Sequence, residues 1–413
     1  MEVVRGLCSF ERRRAGSDAE RRAAKWLADR LRAQGRRAEV EPTYVHPQAA
    51  LVHAVHCASA VAGSVASIPS PPVGFALVLF SATSMYLDFN GRLYLLRLLF
   101  FRRASQNVVS RGGRGDAPAR LLICAHYDAS QTGWAFGPSR LRLAERLGRL
   151  IGLPVGPSRA LFWSLTLLVP ILGARLAGVD NGFLSILQLL PTLVLLVGAF
   201  ALGQIALSAV VPGANDNASG VATALALAGE LDRRPPANLD VWVVLSGGQE
   251  CLMEGMRAFV RRHRRELDPA STFFVNLEAV GAGELRYTIA EGLAVGFDMD
   301  RRVCELCDAI AVAEREGERR FDARPLRWAL ASDALPLRLA RYAGTTITAT
   351  APGMSVAVNY HLPTDRSEAL DPVALDRAHD FALALIHQLD REVGRRVEGD
   401  AAAGAEAAAG AVI

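Results

Sequence analysis

Six residues of the types that bind metal ions stand where strand-like or loop segments end. They are His126 and Asp128 in LICAHYDAS, Asp216 in GANDNASG, Glu250 in LSGGQEC, Glu278 in FFVNLEAVG and His361 in NYHLPTD. Four of the six directly follow apolar, strand-like runs. In open α/β sheets, ligands and metals gather outside the carboxyl ends of the strands, so these distant residues are predicted to meet at one edge.

Taken singly, most of these residues have ordinary explanations. His126 would be explained as a core histidine whose ring nitrogens are hydrogen-bonded. Asp216 would be explained as a helix N-cap, and Glu250 as a charge exposed to solvent in a loop. Glu278 is different because it ends an apolar run, and a buried Glu must be paired, protonated or bound to a metal. Together, two imidazoles and three carboxylates suit two divalent cations, zinc first, with manganese or cobalt as alternatives.

The rest of the sequence alternates between helical and strand-like patterns. A capping box at residues 17–20 opens a helix predicted to end near Ala33. Strands are predicted at 38–45, 107–109, 121–124, 239–245, 272–277, 285–289 and 345–350. Helices are predicted at 218–231, 252–267, 301–315, 335–342 and 372–393. This order predicts an α/β fold with a helix-covered, mixed but mostly parallel sheet.

Two apolar hairpins interrupt that pattern. The first is predicted over 51–68 and 73–89, and the second over 160–177 and 183–211. The longest of these segments, 183–211, is long enough to span about 30 Å of hydrocarbon even when the helix is tilted. The chain is 51% hydrophobic and its mean hydropathy is +0.20, which is high for a soluble protein. Four transmembrane helices are predicted, with core helices of a large soluble domain as the alternative.

Arginine placement predicts the orientation of these helices. The arginines that flank the hairpins on the side of the body are Arg92, Arg97, Arg102, Arg103, Arg140, Arg142, Arg146, Arg149 and Arg159. The two turns carry only Arg175 and Asp180. The positive-inside rule therefore predicts a cell-membrane protein with its body in the cytoplasm. The N-terminal segment has no apolar core, so no signal peptide is expected.

These patterns divide the chain into six segments. Residues 1–48 are predicted to hold the first helix and strand, 49–104 the first hairpin insertion, 105–139 further sheet, 140–211 the second hairpin insertion, 212–395 the rest of the body, and 396–413 a disordered tail. The net charge is only +4, and no basic run interleaves with aromatic residues, so nucleic acid is not an expected partner. The lipid bilayer is an expected partner, and the sequence does not determine the oligomeric state.

Seven motifs, as an ordered set, resemble the co-catalytic zinc exopeptidase family, which includes bacterial leucyl aminopeptidases, glutamate carboxypeptidase and transferrin-receptor-like proteins. They are RRAGSDAERRAAKWLADRLRAQG, SQNVV, LLICAHYDAS, NDNASGVATALALA, GGQECLMEGMRAFV, NLEAVGAG and YHLPTD. The resemblance covers roughly residues 11–46, 105–133 and 212–392 and leaves out both hairpins. NLEAVGAG is similar to the vacuolar and endoplasmic-reticulum membrane metallopeptidases of the family, because it has Glu where soluble members usually have Asp.

The resemblance implies a role for each matching residue. Asp216 would bridge two zinc ions and Asp128 would orient His126. One ion would be held by His126, Asp216 and Glu278, and the other by Asp216, Glu250 and His361. Ser332 and Asp333 resemble a substrate-pocket motif, and Tyr360 completes the predicted substrate-binding set. The implied reaction is hydrolysis of a peptide bond in a peptide substrate, at its N-terminus.

One position departs from the family pattern. The general base of the family, a Glu directly before the ligand Glu, falls on Gln249 here. An amide hydrogen-bonds water but cannot accept its proton, and losing a positioned general base typically costs about 10² to 10⁴ in rate. The nearest other acid is Glu254. The sequence predicts a membrane-anchored zinc metallopeptidase, with a weakened or inactive metal- and peptide-binding homologue as the alternative. A membrane scaffold is less favoured, since it would not need five metal-binding side chains.

Overall fold

The body of the protein is built on a nine-stranded mixed sheet. The structure is a computed structural model that describes residues 1–152, 154, 156–316 and 321–410. The strands are β1 (Ala38–Val45), β2 (Arg103–Ser110), β3 (Ala119–His126), β4 (Leu239–Ser246), β5 (Thr272–Glu278), β6 (Glu284–Glu291), β7 (Phe297–Asp298), β8 (Arg324–Trp328) and β9 (Ala343–Thr350). Their order is β1-β2-β4-β3-β5-β9-β6-β7, with β8 paired to β6. The four central strands β4, β3, β5 and β9 are parallel.

Helices cover both faces of this sheet. They are α1 (Glu2–Cys8), α2 (Asp18–Ala33), α3 (Ala49–Ala66), α4 (Pro71–Phe89), α5 (Pro138–Ile151), α6 (Pro157–Leu176), α7 (Gly182–Leu207), α8 (Gly220–Arg233), α9 (Glu254–His263), α10 (Arg301–Glu316), α11 (Ala334–Leu339) and α12 (Pro372–Gly410). Successive residues of β3 point to opposite faces, so Ile123 packs with α8 and α12 while Leu122 packs with α9 and α11. The predicted α/β class and mixed, mostly parallel sheet are confirmed.

The four apolar helices α3, α4, α6 and α7 form a separate bundle. Within it, α3 and α6 each pack against α4 and α7. All four are long and apolar enough to cross a membrane. The most exposed side chains on α7 are large and apolar, as at Phe183, Leu190 and Phe200, each about 70% exposed. Large exposed apolar surfaces mark membrane or protein interaction sites.

Both hairpins leave the body and return to it. The first connects β1 to β2, which are adjacent and antiparallel. The second connects the loop after β3 to the loop before α8. All the strands and all the candidate ligands therefore belong to one body at one end of the bundle.

Two parts of the chain differ from the sequence-based prediction. Helix α5 was not anticipated, because its arginines interrupt the apolar pattern. The last helix runs to Gly410, whereas the sequence predicts a disordered tail from residue 396. Ala is the best helix former, so the Ala-rich segment continues the helix. The disorder expected of the 396–413 tail stays a prediction, and residues 411–413 lie outside the described part of the chain.

A buried arginine joins the N-terminal segment to the two loops that approach the candidate ligands. The Arg13 side chain is 1% exposed. Its Nε donates to the carbonyl oxygen of Tyr127 at 2.8 Å, and its terminal nitrogens donate to the carbonyl oxygens of Pro212 and Gly213. Tyr127 follows His126 directly, and Gly213 precedes Asp216 by three residues. One guanidinium therefore fixes the spacing of these two loops.

Replacing Arg13 with Met is expected to destabilise the protein by about 3 kcal/mol, since several buried carbonyl groups lose a charged donor. Thermal unfolding of the purified protein in detergent measures the effect as a lowered Tm. Arg12→Met is the matched control, because Arg12 is exposed and makes no side-chain hydrogen bond within the described residues. Equal Tm values for the two variants would contradict this role of Arg13.

Candidate metal centre

Three parallel strands deliver candidate ligands to the same edge of the sheet. His126 is the last residue of β3 and Glu278 is the last residue of β5. Glu250 follows β4 in a short 3-10 helix over Gln249–Cys251. Since β3 lies between β4 and β5, the three side chains emerge next to one another. The loops before α8 and after β9 add Asp216 and His361 at the same edge.

Asp216 lies at the centre of this group. Its Oδ1 is 3.2 Å from Nε2 of His126, and its Oδ2 is 3.3 Å from Nε2 of His361. Nε2 of His126 is also 2.9 Å from Oε1 of Glu278. Nε2 of His361 is 3.6 Å from Oε1 of Glu250. The structure thus brings together all five predicted ligands, as two groups that share the Asp216 carboxylate.

Neighbouring polar groups contact these side chains on the sides that face away from Asp216. Oδ1 of Asp128 lies 3.4 Å from Nδ1 of His126, a close contact without hydrogen-bond geometry. The two oxygens of Asp128 also accept from the backbone amides of Gln249 and Glu250, each at 3.1 Å. Ser130 Oγ lies 3.0 Å from Nδ1 of His361. Metal-binding histidines usually have such a partner on the second ring nitrogen, which fixes the tautomer.

The Asn-Asp-Asn loop is held by its own side chains. The amide of Asn217 accepts from the backbone of Ala279 at 2.9 Å and donates to Leu277 at 2.8 Å. The peptide bond between Asp216 and Asn217 is cis. Asp365 accepts from the backbone amides of residues 215 and 216, at 2.7 and 3.1 Å. The loop that presents Asp216 is therefore bonded to the end of β5.

Burying several carboxylates close together shifts the pKa values of the residues at this centre. Burial raises the pKa values of Glu250 and Glu278 to about 7. Burial also raises the pKa of Asp216, but hydrogen bonds from His126 and His361 outweigh it and leave that pKa below its usual range. For His126, burial disfavours the charged form, yet the charge of Glu278 and three carboxylate contacts raise its pKa well above the usual value. The centre therefore needs positive charge.

The donor set fits divalent metal ions. Oε1 of Glu250 and Oε2 of Glu278 are buried and have no hydrogen-bond partner within the described residues. Ligand atoms of His126, Asp216 and Glu250 lie within 4.8 Å of one another. Buried unpaired carboxylate oxygens are costly unless a cation binds them. Imidazole and carboxylate ligands without thiolate are typical of zinc, with manganese as the harder alternative.

A cavity of about 200 Å³ opens onto this centre. Its polar end includes Asp216, Glu250, Glu278, His361 and Gln249. The bundle of α3, α4, α6 and α7 supplies much of the rest, through Ala49, Ala50, His53, Met85, Phe89, Pro157, Ser158, Leu161, Leu202 and Ile205. The cavity is thus bounded by the body on one side and by the bundle on the other. A larger groove of about 720 Å³ beside α7 includes none of the five candidate ligands.

The predicted substrate-binding residues have different locations. Tyr360 lines the cavity, and its ring stacks on His361 with 3.9 Å between centroids. Ser332 and Asp333 are fully buried and do not line it. Ser332 Oγ donates to Glu291 at 2.7 Å, and Asp333 accepts from Ser246 Oγ. Both side chains therefore make hydrogen bonds inside the fold and do not line this cavity, and their role in substrate binding stays a prediction.

Three residues of the centre were missed by the sequence analysis. Ser130 and Phe136 contact the His361 ring, with the Phe136 ring 4.5 Å from it between centroids. Glu20 was expected only as part of a helix cap. Its carboxylate instead accepts from Gly16, from Ser105 and from the amide of Gly248, just before Gln249. The capping motif was a signal for Glu20, whereas no local pattern marks Ser130 or Phe136.

Comparison with known proteins agrees with this geometry. Residues 201–386 match the model of Peptidase family M28. The resemblance to the co-catalytic zinc exopeptidases is confirmed. The matched region holds four of the five candidate ligands and Gln249, and His126 lies before it. No curated protein matches the chain significantly.

Solved structures share the fold at low sequence identity. A Zn-dependent exopeptidase from Parabacteroides distasonis is 12% identical with a TM-score of 0.52, covering 94% of this chain and 96% of that one. A zinc aminopeptidase from Bacillus subtilis is 14% identical with a TM-score of 0.53, covering 94% of each chain. A glutaminyl cyclase from Bacteroides thetaiotaomicron is 13% identical with a TM-score of 0.51, covering 94% and 95%. The same fold therefore serves hydrolases and cyclases.

Replacing Asp216 with Asn is expected to abolish stable metal binding, since both ligand groups share this carboxylate. The measurement is metal content by elemental analysis after reconstitution and desalting, with a loss of at least about tenfold expected from the removal of a charged ligand. Asp376→Asn removes an exposed Asp on α12 and is the matched control. Retention of full metal content in Asp216→Asn would rule out a shared ligand.

Proposed function

We propose that the protein is a membrane-anchored zinc peptidase that removes residues from the N-terminus of peptide substrates. The observation that carries the proposal is the convergence of two imidazoles and three carboxylates on Asp216, at the carboxyl edge of an M28-type sheet. A buried donor set of this kind, open to a cavity, is typical of a catalytic metal site.

Two zinc ions are the proposed cofactors. The contacts of Asp216 support a pair, because its two oxygens face different ligand groups. When bound, a zinc pair lowers the pKa of a shared water and polarises the scissile carbonyl. Asp128 and Ser130 hold the two imidazoles in place. Gln249 lines the cavity and orients water by hydrogen bonding, but it cannot take a proton.

An apolar N-terminal side chain is the proposed substrate preference. Away from the carboxylates, the cavity is lined by Met85, Phe89, Leu161, Leu202 and Leu293. Apolar side chains placed there would be removed from water, at about 25 cal/mol per Å² of buried apolar surface. A charged side chain would lose its hydration without gaining a partner. Hydrophobic peptides, including peptides released in the bilayer, match this surface best.

Restoring the carboxylate at position 249 is the test of the peptidase. In Gln249→Glu, hydrolysis of a leucine aminoacyl reporter is expected to rise by about tenfold or more, since a general base contributes about 10² to 10⁴. Gln34→Glu adds the same charge at an exposed position directly after α2 and is expected to leave the rate unchanged. A metal-replete protein that is inert with and without Gln249→Glu would refute the peptidase and favour a binding module.

We also propose that the bundle spans the cell membrane with the body in the cytoplasm. The turns at Ile68 and Val179 are then outside, and both side chains are exposed. In intact cells, Ile68→Cys and Val179→Cys are expected to react with a membrane-impermeant maleimide. Ala270→Cys, on the body, is expected to react only after permeabilisation. The reverse labelling pattern would overturn this orientation.

A further inference from the structure

Helix α5 carries an apolar face that points away from the body. Leu143, Leu147 and Leu150 recur at helical spacing, so their side chains lie on one face of α5. These three residues are 57%, 49% and 81% exposed. Single exposed leucines are ordinary, but a continuous apolar face on a surface helix marks an interaction site. This leucine face therefore needs an apolar partner.

The opposite face of α5 is held by the body. Leu141 and Gly148 are buried there. Oε2 of Glu145 accepts from the backbone amide and from the hydroxyl of Ser355, at 3.2 and 2.7 Å. Ser355 lies in the loop after β9 that also carries His361. Because these contacts fix one side of the helix, the leucine face is fixed on the outer side.

Both ends of α5 lead to the bundle. Before the helix, the backbone amide of Trp134 donates to Oε1 of Gln204, near the end of α7, at 2.7 Å. After the helix, the chain enters α6 at Pro157. The end of α7 and the start of α6 are parts of the bundle that join the body. Helix α5 is therefore tied at both ends to the level of the bundle where the surface of a surrounding bilayer is expected.

Three arginines run along one side of the leucine face. Arg142, Arg146 and Arg149 are exposed, and none of them forms a salt bridge within the described residues. A fourth arginine, Arg140, covers the Trp134 ring, with its guanidinium carbon 4.4 Å from the ring centroid. Helices with an apolar face beside arginines lie along membrane surfaces, and Trp is enriched at the same depth. The composition of α5 is thus that of an interfacial helix.

An anionic lipid surface supplies both kinds of contact that α5 needs. Its phosphate groups would pair with the arginines, and the acyl chains directly beneath them would cover the leucines. Anionic lipids are concentrated in the cytoplasmic leaflet, and each arginine near such a surface strengthens binding. The body of the protein is proposed to lie on that side of the membrane. A soluble partner would have to present acids beside an apolar patch in the same order, whereas every patch of anionic bilayer does so.

We propose that α5 docks on the bilayer surface, with its leucine face among the acyl chains and its arginines on anionic headgroups. This role rests on the proposed membrane location of the bundle and does not depend on hydrolysis. The segments on either side of α5 contribute Phe136 and Pro157 to the wall of the cavity of about 200 Å³. The docked helix therefore places anionic lipid next to the cavity that opens onto the metal centre.

The test locates α5 by fluorescence quenching in reconstituted bilayers. An NBD fluorophore is attached to Leu147→Cys in a Cys8→Ser background, because the other five cysteines are buried. A nitroxide near the lipid headgroup is expected to quench this probe more strongly than a nitroxide near the end of the acyl chain, since an interfacial helix is buried only about 5 to 10 Å deep. The reverse order is expected for Leu196→Cys, which is exposed midway along α7. Ala270→Cys, exposed on the body, is expected to escape both nitroxides.

The charge of the headgroup is tested with headgroup-level nitroxides on phosphatidylglycerol and on phosphatidylcholine, in equal amounts. Phosphatidylglycerol is expected to quench the fluorophore at Leu147→Cys at least about twofold more strongly, since arginines gather anionic lipid around them. Combining Arg142→Gln, Arg146→Gln and Arg149→Gln is expected to remove this preference. A preference that survives the loss of these three arginines, or equal quenching by the two lipids while the arginines are present, would overturn the assignment to anionic lipid.

The matched control for charge combines Arg261→Gln, Arg264→Gln and Arg265→Gln. These arginines are exposed and lie near the amino end of β5, at the edge of the sheet opposite the metal centre. The control removes the same charge far from α5, so the preference for phosphatidylglycerol is expected to remain. Its loss in this control would show an effect of net charge alone and would contradict the role of α5.

The two apolar probe positions separate docking of α5 from membrane location of the bundle. Lipid nitroxides that quench neither probe would remove the proposed membrane location. If lipid quenches Leu196→Cys while only aqueous iodide quenches Leu147→Cys, α5 lies in solvent and the docking is wrong. If neither lipid nor iodide reaches Leu147→Cys, another protein or a second copy covers the leucine face, which also overturns the docking. Leu143→Cys repeats the measurement on the same face, for the case that Leu147→Cys folds poorly.

Discussion

The structure depends on placing three carboxylates and two imidazoles in one desolvated space. Each strand of the central parallel sheet ends there because parallel strands share a carboxyl edge, and the Asn-Asp-Asn loop adds the acid that both ligand groups share. Without bound cations, such a centre holds Glu250 and Glu278 with pKa values raised to about 7 by burial. The backbone hydrogen bonds to Asp128 and Asp365 hold this group of acids together, so the fold carries an electrostatic cost that bound cations would offset.

A second constraint lies at the join between the body and the bundle. The catalytic loop after β4 is bonded on one side to Glu20 and Asp128 and on the other to Arg97. The polar half of the cavity therefore comes from the end of the sheet and its loops, and the apolar half from the helices of the bundle. A molecule in this cavity would meet carboxylates at one end and apolar side chains at the other.

Most of the sheet and the five candidate ligands could be predicted, because each ligand ends an apolar run or a short loop motif whose position in an α/β sheet is fixed. Residues that reach the centre only through contacts with parts of the chain far away in sequence could not be predicted. Ser130 and Phe136 approach the centre through tertiary packing alone, and no local pattern marks them. For Ser332 and Asp333, resemblance to a motif does not reveal that the side chains are buried among Glu291, Thr346 and Ser246.

The bundle and the cavity share a wall, so a change in the packing of the bundle would change the cavity. If the bundle spans a membrane, as proposed, its helices would adjust to a thinner or thicker bilayer by tilting, at a modest cost per ångström of mismatch. Such a tilt would shift Phe89, Leu161 and Leu202 relative to the sheet. Acyl-chain length would then alter the width of the cavity that these three side chains line.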